Sequence, residues 1–288
     1  MSSLKVKREL YQIHTTKHIL NDLDRHIKDR QPFSTIRFGD AVYGMLSSYL
    51  CPDVMPKNTK WKNPAGKRMT NSIMGLLTIP KDKRNGILKR VAQAADNANY
   101  CDSYDSFYLF LPESSIGYIG RRWKEIHEGC GITNESYCSC YLHYFSIVDG
   151  ELNLFDIMKG RKIFCITNQA KILDELKRKS NAELIDFYQI PRRGRKGKHF
   201  LDHYSKIMKL IKLNAKHYDL FLIGAGLLGK IYCDEVRRCG GRAFDSGRLF
   251  DFWGGSRGAI KGKPKRFLKL NKSKMLCERI KNAGNGVW

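Results

Sequence analysis

The chain has 288 residues, 42% of them apolar with fourteen Phe and fourteen Tyr, and a formal net charge of +24. That length is enough for a sizeable buried core, and the composition excludes a disordered chain. No apolar run reaches the ~20 residues of a membrane-spanning helix, and the polar stretch Met1 to His18 lacks the apolar centre of a secretory signal. A cytoplasmic protein is expected. The nine cysteines are scattered, and Cys138 and Cys140 stand too close for a zinc knuckle. Reduced, mostly buried thiols are expected.

In chain order, Leu10, Ile13, Ile19, Leu20 and Leu23 share one helical face and predict an opening helix over Leu10–Asp29. "STIRFGD" predicts a short strand ending in a Gly-Asp turn, and "AVYGMLSSYL" the helix after it. "MTNSIMGLLTIP" and "KRNGILKRVAQAADNANYC" predict further helix. Five apolar segments then predict buried strands: Ser106–Pro112, Arg161–Thr167, Ala182–Ile190, Asp219–Ala225 and Gly241–Gly247. Helical segments stand between them at Gly120–Glu128, Gln169–Lys179 and His203–Ala215. Short apolar strands alternating with helices predict an α/β fold, Rossmann-like, with a largely parallel sheet flanked by helices. We read one domain over residues 1–255 and a basic C-terminal extension over 256–288, which carries ten Lys or Arg against the single Glu278. A second dense basic stretch is Pro191–His199. Positive charge of this size makes nucleic acid a rival partner to an anionic small molecule.

In a parallel sheet, ligands bind beyond the carboxyl ends of the strands, so the residues just after each strand are the candidates. Gly224, Gly226 and Gly229 spell G-x-G-x-x-G at a strand-to-helix turn, and Asp245 follows where a dinucleotide fold places its ribose-binding acid. Amide groups at such a helix start favour a phosphate. Three readings compete: an NAD-type site, glycines needed only for tight packing, and another phosphate ligand. About forty residues follow Asp245, too few for the rest of a dinucleotide domain. At the other predicted turn, Arg37, Gly39 and Asp40 place a cation and a carboxylate at the rim of the sheet, unless they merely close the turn as a salt bridge.

"IRFGD" resembles the R-F-G-D-G-E signature of the GT-D-fold glycosyltransferases, which use a nucleotide-sugar donor. The likeness continues in order through "FYLFLP", "GRKIFCITNQA", "FLDHYSKIMKLI" with "LFLIGAGLLGKI", and "GRAFDSGRLFDFW", from about residue 30 to 255. It implies a GT-D-like fold, a UDP-sugar donor, a glycan or glycoprotein acceptor, and hexosyl or pentosyl transfer. The family's D-x-E reads Asp40-Ala41-Val42 here, and its final G-H reads Gly247-Arg248. A carboxylate and an imidazole are therefore missing, and Mn or Mg dependence comes into question. Arg248 is the expected replacement, since a guanidinium binds phosphate oxygens bidentately without a coordination shell. Lys230 and Arg193 would assist it, Lys230 being otherwise a solvated lysine, and Arg37, Gly39, Gly224, Gly226 and Asp245 complete the expected donor site. Asp40 is the expected base, with Glu113, Asp245 and Asp251 as other carboxylates in position. Phe252 and Trp253 either stack on the donor or plug the core.

Overall fold

Seven strand pairings, every one parallel, join eight short strands into a single sheet. The computed structural model describes residues 13–14, 16–54, 79–103, 123–139, 153–191, 199–247 and 249–253. The strands are β1 (Ile13–His14), β2 (Phe33–Ile36), β3 (Tyr100–Ser103), β4 (Tyr137–Ser139), β5 (Lys162–Thr167), β6 (Leu184–Gln189), β7 (Leu220–Gly224) and β8 (Arg242–Asp245), in the spatial order β1-β4-β3-β2-β8-β7-β5-β6. The helices are α1 (Thr16–Lys28), α2 (Asp40–Tyr49), α3 (Lys81–Asn97), α4 (123–129), α5 (Leu154–Met158), α6 (Ile172–Ser180), α7 (Tyr204–Asn214), α8 (Gly226–Arg238) and α9 (Leu249–Trp253). A one-turn π-helix, His199–His203, leads into α7.

Parallel strands need crossover helices on both faces, so the central strands are buried on both sides. β5 is buried at all five residues after Lys162, and β2 and β8 are buried at all four. One face packs on α2, α3, α4, α7 and α8 through residues such as Leu46, Val91, Ile126, Ile211 and Ile231. The other packs on α1, α5, α6 and α9 through Leu23, Ile157, Leu176 and Phe250. The predicted strands at 33–36, 162–167, 184–189, 220–224 and 242–245 are all present.

Three short strands depart from the sequence reading. Ile13 lies in β1 and not in the opening helix, which begins at Thr16. The helix expected to reach Cys101 ends at Asn97, and Tyr100 and Cys101 belong to β3. Their register against Thr35 and Ile36 is a long-range pairing, which overrides local propensity. Cys138 sits in β4, paired with His14 and Asp102. The expected strand Ser106–Pro112, the segment 69–78, Cys140 and the extension 256–288 lie outside the described residues. Six described cysteines are free thiols, four of them buried. Among the described residues no helix is long and apolar enough to cross a membrane.

The wall beside α2 is built on a buried histidine. His127 of α4 is 1% exposed, its Nε2 lies 2.9 Å from the Tyr43 hydroxyl, and its ring stacks on Tyr43 and meets the edge of Phe38. Burial pushes this imidazole from 6.5 down to about 3. The unfolded chain therefore takes up a proton that the folded chain refuses. Stability is full above about pH 6.5 and falls as the pH drops toward 3, by up to ~1.4 kcal/mol per pH unit. Burial also lowers His199, to about 4, so it adds to the slope in the same direction. Urea unfolding between about pH 7.5 and 5 checks this: His127→Phe should make the slope shallower.

Candidate functional site

The order of the sheet reverses direction between β2 and β8, and there the candidate residues meet. Chain leaving β2 turns toward β3 on one side, while β8 closes against β7 on the other. Such a junction leaves a crevice beyond the carboxyl ends of the strands. Three strand ends surround it: Ile36 running into Arg37–Gly39, Gly224 running into α8, and Asp245 running into Ser246 and Gly247.

Asp245 ties the three together. Its Oδ2 accepts the Arg37 backbone N–H at 3.0 Å and the Lys230 ammonium at 2.6 Å. Both charged side chains are buried, Lys230 at 5% exposure and Asp245 at 1%. Lys230 is thus neither a solvated lysine nor a group at the rim; it is the counter-charge beneath Asp245. This commitment also removes Asp245 from the ribose-binding role that an NAD-type site would give it. The Ser246 N–H then donates to the Ile223 carbonyl at 2.9 Å, fixing the turn after β8 on β7.

The Arg37 side chain lies across that turn. A Cβ on Gly247 would stand 3.1 Å from Arg37 Nη1, and one on Gly39 would stand 3.9 Å from the same atom. The guanidinium is therefore held between the two glycines at the crevice, and Gly247 (φ +46°) adopts a left-handed conformation that a side chain would strain. Two helices of ten and thirteen residues, α2 and α8, start there, and neither N-cap residue, Gly39 or Ala225, makes a side-chain capping bond. Helix starts without a side-chain cap and a guanidinium make a cationic, donor-rich setting for an anion.

The glycine motif divides its labour. Gly226 opens α8 with φ +62°. Gly224 makes room for a ring: a Cβ there would lie 2.1 Å from Phe250 Cδ2. Gly229 faces Ala225 and Ile223 in ordinary contact at 3.4 Å. Two of the three glycines serve packing, and only Gly226 shapes the turn. Trp253 is 8% exposed and packs on Phe155 and Phe250, so it plugs the core.

Asp40 is the first residue of α2, directly after Gly39; its side chain, and those of Asp251 and Phe252, are outside the description, as are Glu113, Arg193 and Arg248 altogether. Among the described residues no group of three His, Cys, Asp or Glu is arranged to hold a metal ion. Asp245, the described carboxylate at the junction, has its Oδ2 engaged by an ammonium and an amide, which is not the oxygen-rich setting a divalent ion prefers.

Two outcomes test this construction. Asp245→Ala leaves the Lys230 ammonium buried without its counter-charge and should cost about 3–5 kcal/mol in urea unfolding, whereas Lys230→Met combined with Asp245→Leu should recover much of that loss. Gly224→Ala should cost about 1–3 kcal/mol because the Phe250 ring, 1% exposed, has little room to withdraw.

The comparisons agree with this architecture. One solved structure, a selenomethionine-substituted form of domain of unknown function 1792, is similar at 16% identity with a TM-score of 0.53, covering 82% of this chain and 78% of that one. A second, described as the highly conserved domain of unknown function 1792 with a distinct glycosyltransferase fold, is similar at 14% identity with a TM-score of 0.52, over the same shares. No curated protein matches the chain. The family of GT-D fold-like domains matches residues 14–253, nearly the whole described fold. The chain belongs to the GT-D-like family, and its sheet is a glycosyltransferase fold.

Proposed function

We propose that the protein transfers a hexosyl or pentosyl group from a nucleoside diphosphate sugar, with UDP as the nucleotide, to a glycan or glycoprotein acceptor. The observation that carries this reading is the Arg37 guanidinium lying between Gly39 and Gly247 where two uncapped helix starts meet. Glycosyl transfer needs the charge on the departing diphosphate neutralised, and preorganised cations and amides supply that without reorganising. Arg37 and the first-turn amides of α2 and α8 take this role. Arg248, one residue beyond Gly247 in the chain, and Arg193 are assigned to the same anion. In an inverting reaction Asp40 accepts the proton of the acceptor hydroxyl. Lys230 acts through Asp245 by holding the Arg37 amide, and makes no contact with the donor.

Arg248, with Arg193 in support, takes the place of the carboxylate and imidazole that this chain lacks from the family's pattern, so donor binding is independent of a divalent ion. Calorimetry with UDP, GDP and NAD, each with Mn²⁺ and with EDTA, tests the reading. UDP or GDP should bind equally in both conditions, and Arg37→Ala should weaken that binding by about tenfold or more. Binding lost in EDTA overturns the metal-independent part. NAD as the sole ligand overturns the nucleotide-sugar reading.

A further inference from the structure

The face formed by α3, α7 and α8 carries an open groove, of about 520 Å³, away from the strand junction. Four cations line it, Arg90, Lys209, Lys212 and Arg238, against one acid, Glu235. Glu235 is 8% exposed and lies 3.8 Å from Lys212 and 3.7 Å from Arg238, whose side chains are 64% and 61% exposed. One buried carboxylate thus holds two solvent-facing cations in place and leaves the groove with an excess of positive charge. α7 adds to it: the helix contains Lys206, Lys209 and Lys212 and no acidic residue. Tyr204 and Met208 supply an apolar lining, and Arg90 donates to the Tyr204 hydroxyl.

The direction of the groove follows from the topology. Each helix of a parallel sheet returns from the carboxyl edge of one strand to the amino edge of the next. Tyr204, at the start of α7, therefore stands toward the edge that holds the Arg37 crevice, and Lys212 lies ~12 Å further along the helix, away from it. A chain lying in the groove has one end directed to the edge where transfer takes place.

We propose that this groove binds an anionic glycan chain, whose carboxylate, sulfate or phosphate groups pair with Lys209, Lys212 and Arg238. As the acceptor-binding surface it rests on the glycosyltransferase reading; as a polyanion site it does not. A glycan is favoured over single-stranded nucleic acid because the ring lining the groove is already covered. Tyr204 stacks on Phe200 at 5.0 Å and leans on Tyr232 at 5.9 Å, so among the described residues lining the groove no ring offers an open platform of the kind on which bases stack.

The test is fluorescence anisotropy with three labelled probes: a heparin-derived hexasaccharide, maltohexaose and an oligothymidylate, at low and near-physiological salt. The heparin fragment should bind with an affinity that falls with salt, and maltohexaose should bind much more weakly. The combined variant Lys209→Ala, Lys212→Ala, Arg238→Ala should weaken heparin-fragment binding by about tenfold or more. A charge-matched control on the opposite face, Lys159→Ala, Lys171→Ala, Lys177→Ala, should stay within about twofold of the unaltered protein. Equal losses in the two variants, or no loss in the first, overturn the groove assignment in favour of diffuse charge. Oligothymidylate bound more tightly than the heparin fragment, and lost in the groove variant, overturns the glycan in favour of nucleic acid. UDP titrated into the groove variant separates the two readings: unchanged UDP binding shows a folded protein whose donor site does not depend on the groove, and UDP binding absent in the unaltered protein sinks the donor reading while leaving the groove result standing.

Discussion

A single carboxylate oxygen holds the candidate site together. Asp245 Oδ2 takes an ammonium from α8 and an amide from the turn after β2, so the last strand of the sheet is pinned at once to the helix before it and to a strand more than two hundred positions earlier in the chain. Two charges cannot be stripped of water without a compensating partner, and the pair satisfies this only because both members arrive in register. That register is set by the neighbouring pairings, Thr35 with Phe244 and Ile223 with Asp245. The geometry of the crevice is therefore a consequence of sheet pairing, transmitted through one buried ion pair.

Around that pin the protein separates rigid support from exposed chemistry. His127, Tyr43 and Phe38 form a buried aromatic wall behind the turn that carries Arg37, and Phe250 fills the space left by Gly224 on the other side. The turn residues themselves, Arg37 and Gly39, are partly exposed. Cationic and amide donors thus stand at the edge of a close-packed interior, which is the arrangement that makes electrostatic stabilisation effective without reorganisation.

The positive charge has a comparable division. Arg242 is buried and spends its guanidinium on the backbone carbonyls of Asp219 and Tyr218, closing the turn before β7. Lys230 spends its charge on Asp245. Those cations are structural. Lys209, Lys212 and Arg238 instead face solvent on one side of the sheet, where a net field can attract an anion before contact. Net charge alone would have assigned all of them the same meaning.

The strand and helix alternation was legible because strands buried between helices are mostly apolar, and β5 and β7 stand where such runs occur. β1, β3 and β4 were not legible: they are two to four residues long, and Tyr100–Ser103 is strand only because it finds a partner in β2. The sequence also determined that Arg37 and Gly39 follow one strand and Gly224 and Gly226 another, which is enough to bring them to the same edge of any parallel sheet. It could not determine that Gly224 yields its space to Phe250, or that Lys230 turns inward to Asp245, fifteen residues away. Motif spacing specifies backbone turns, because those are local. Which side chain fills a cavity or neutralises a charge depends on what the rest of the chain packs beside it, and only the tertiary structure decided that.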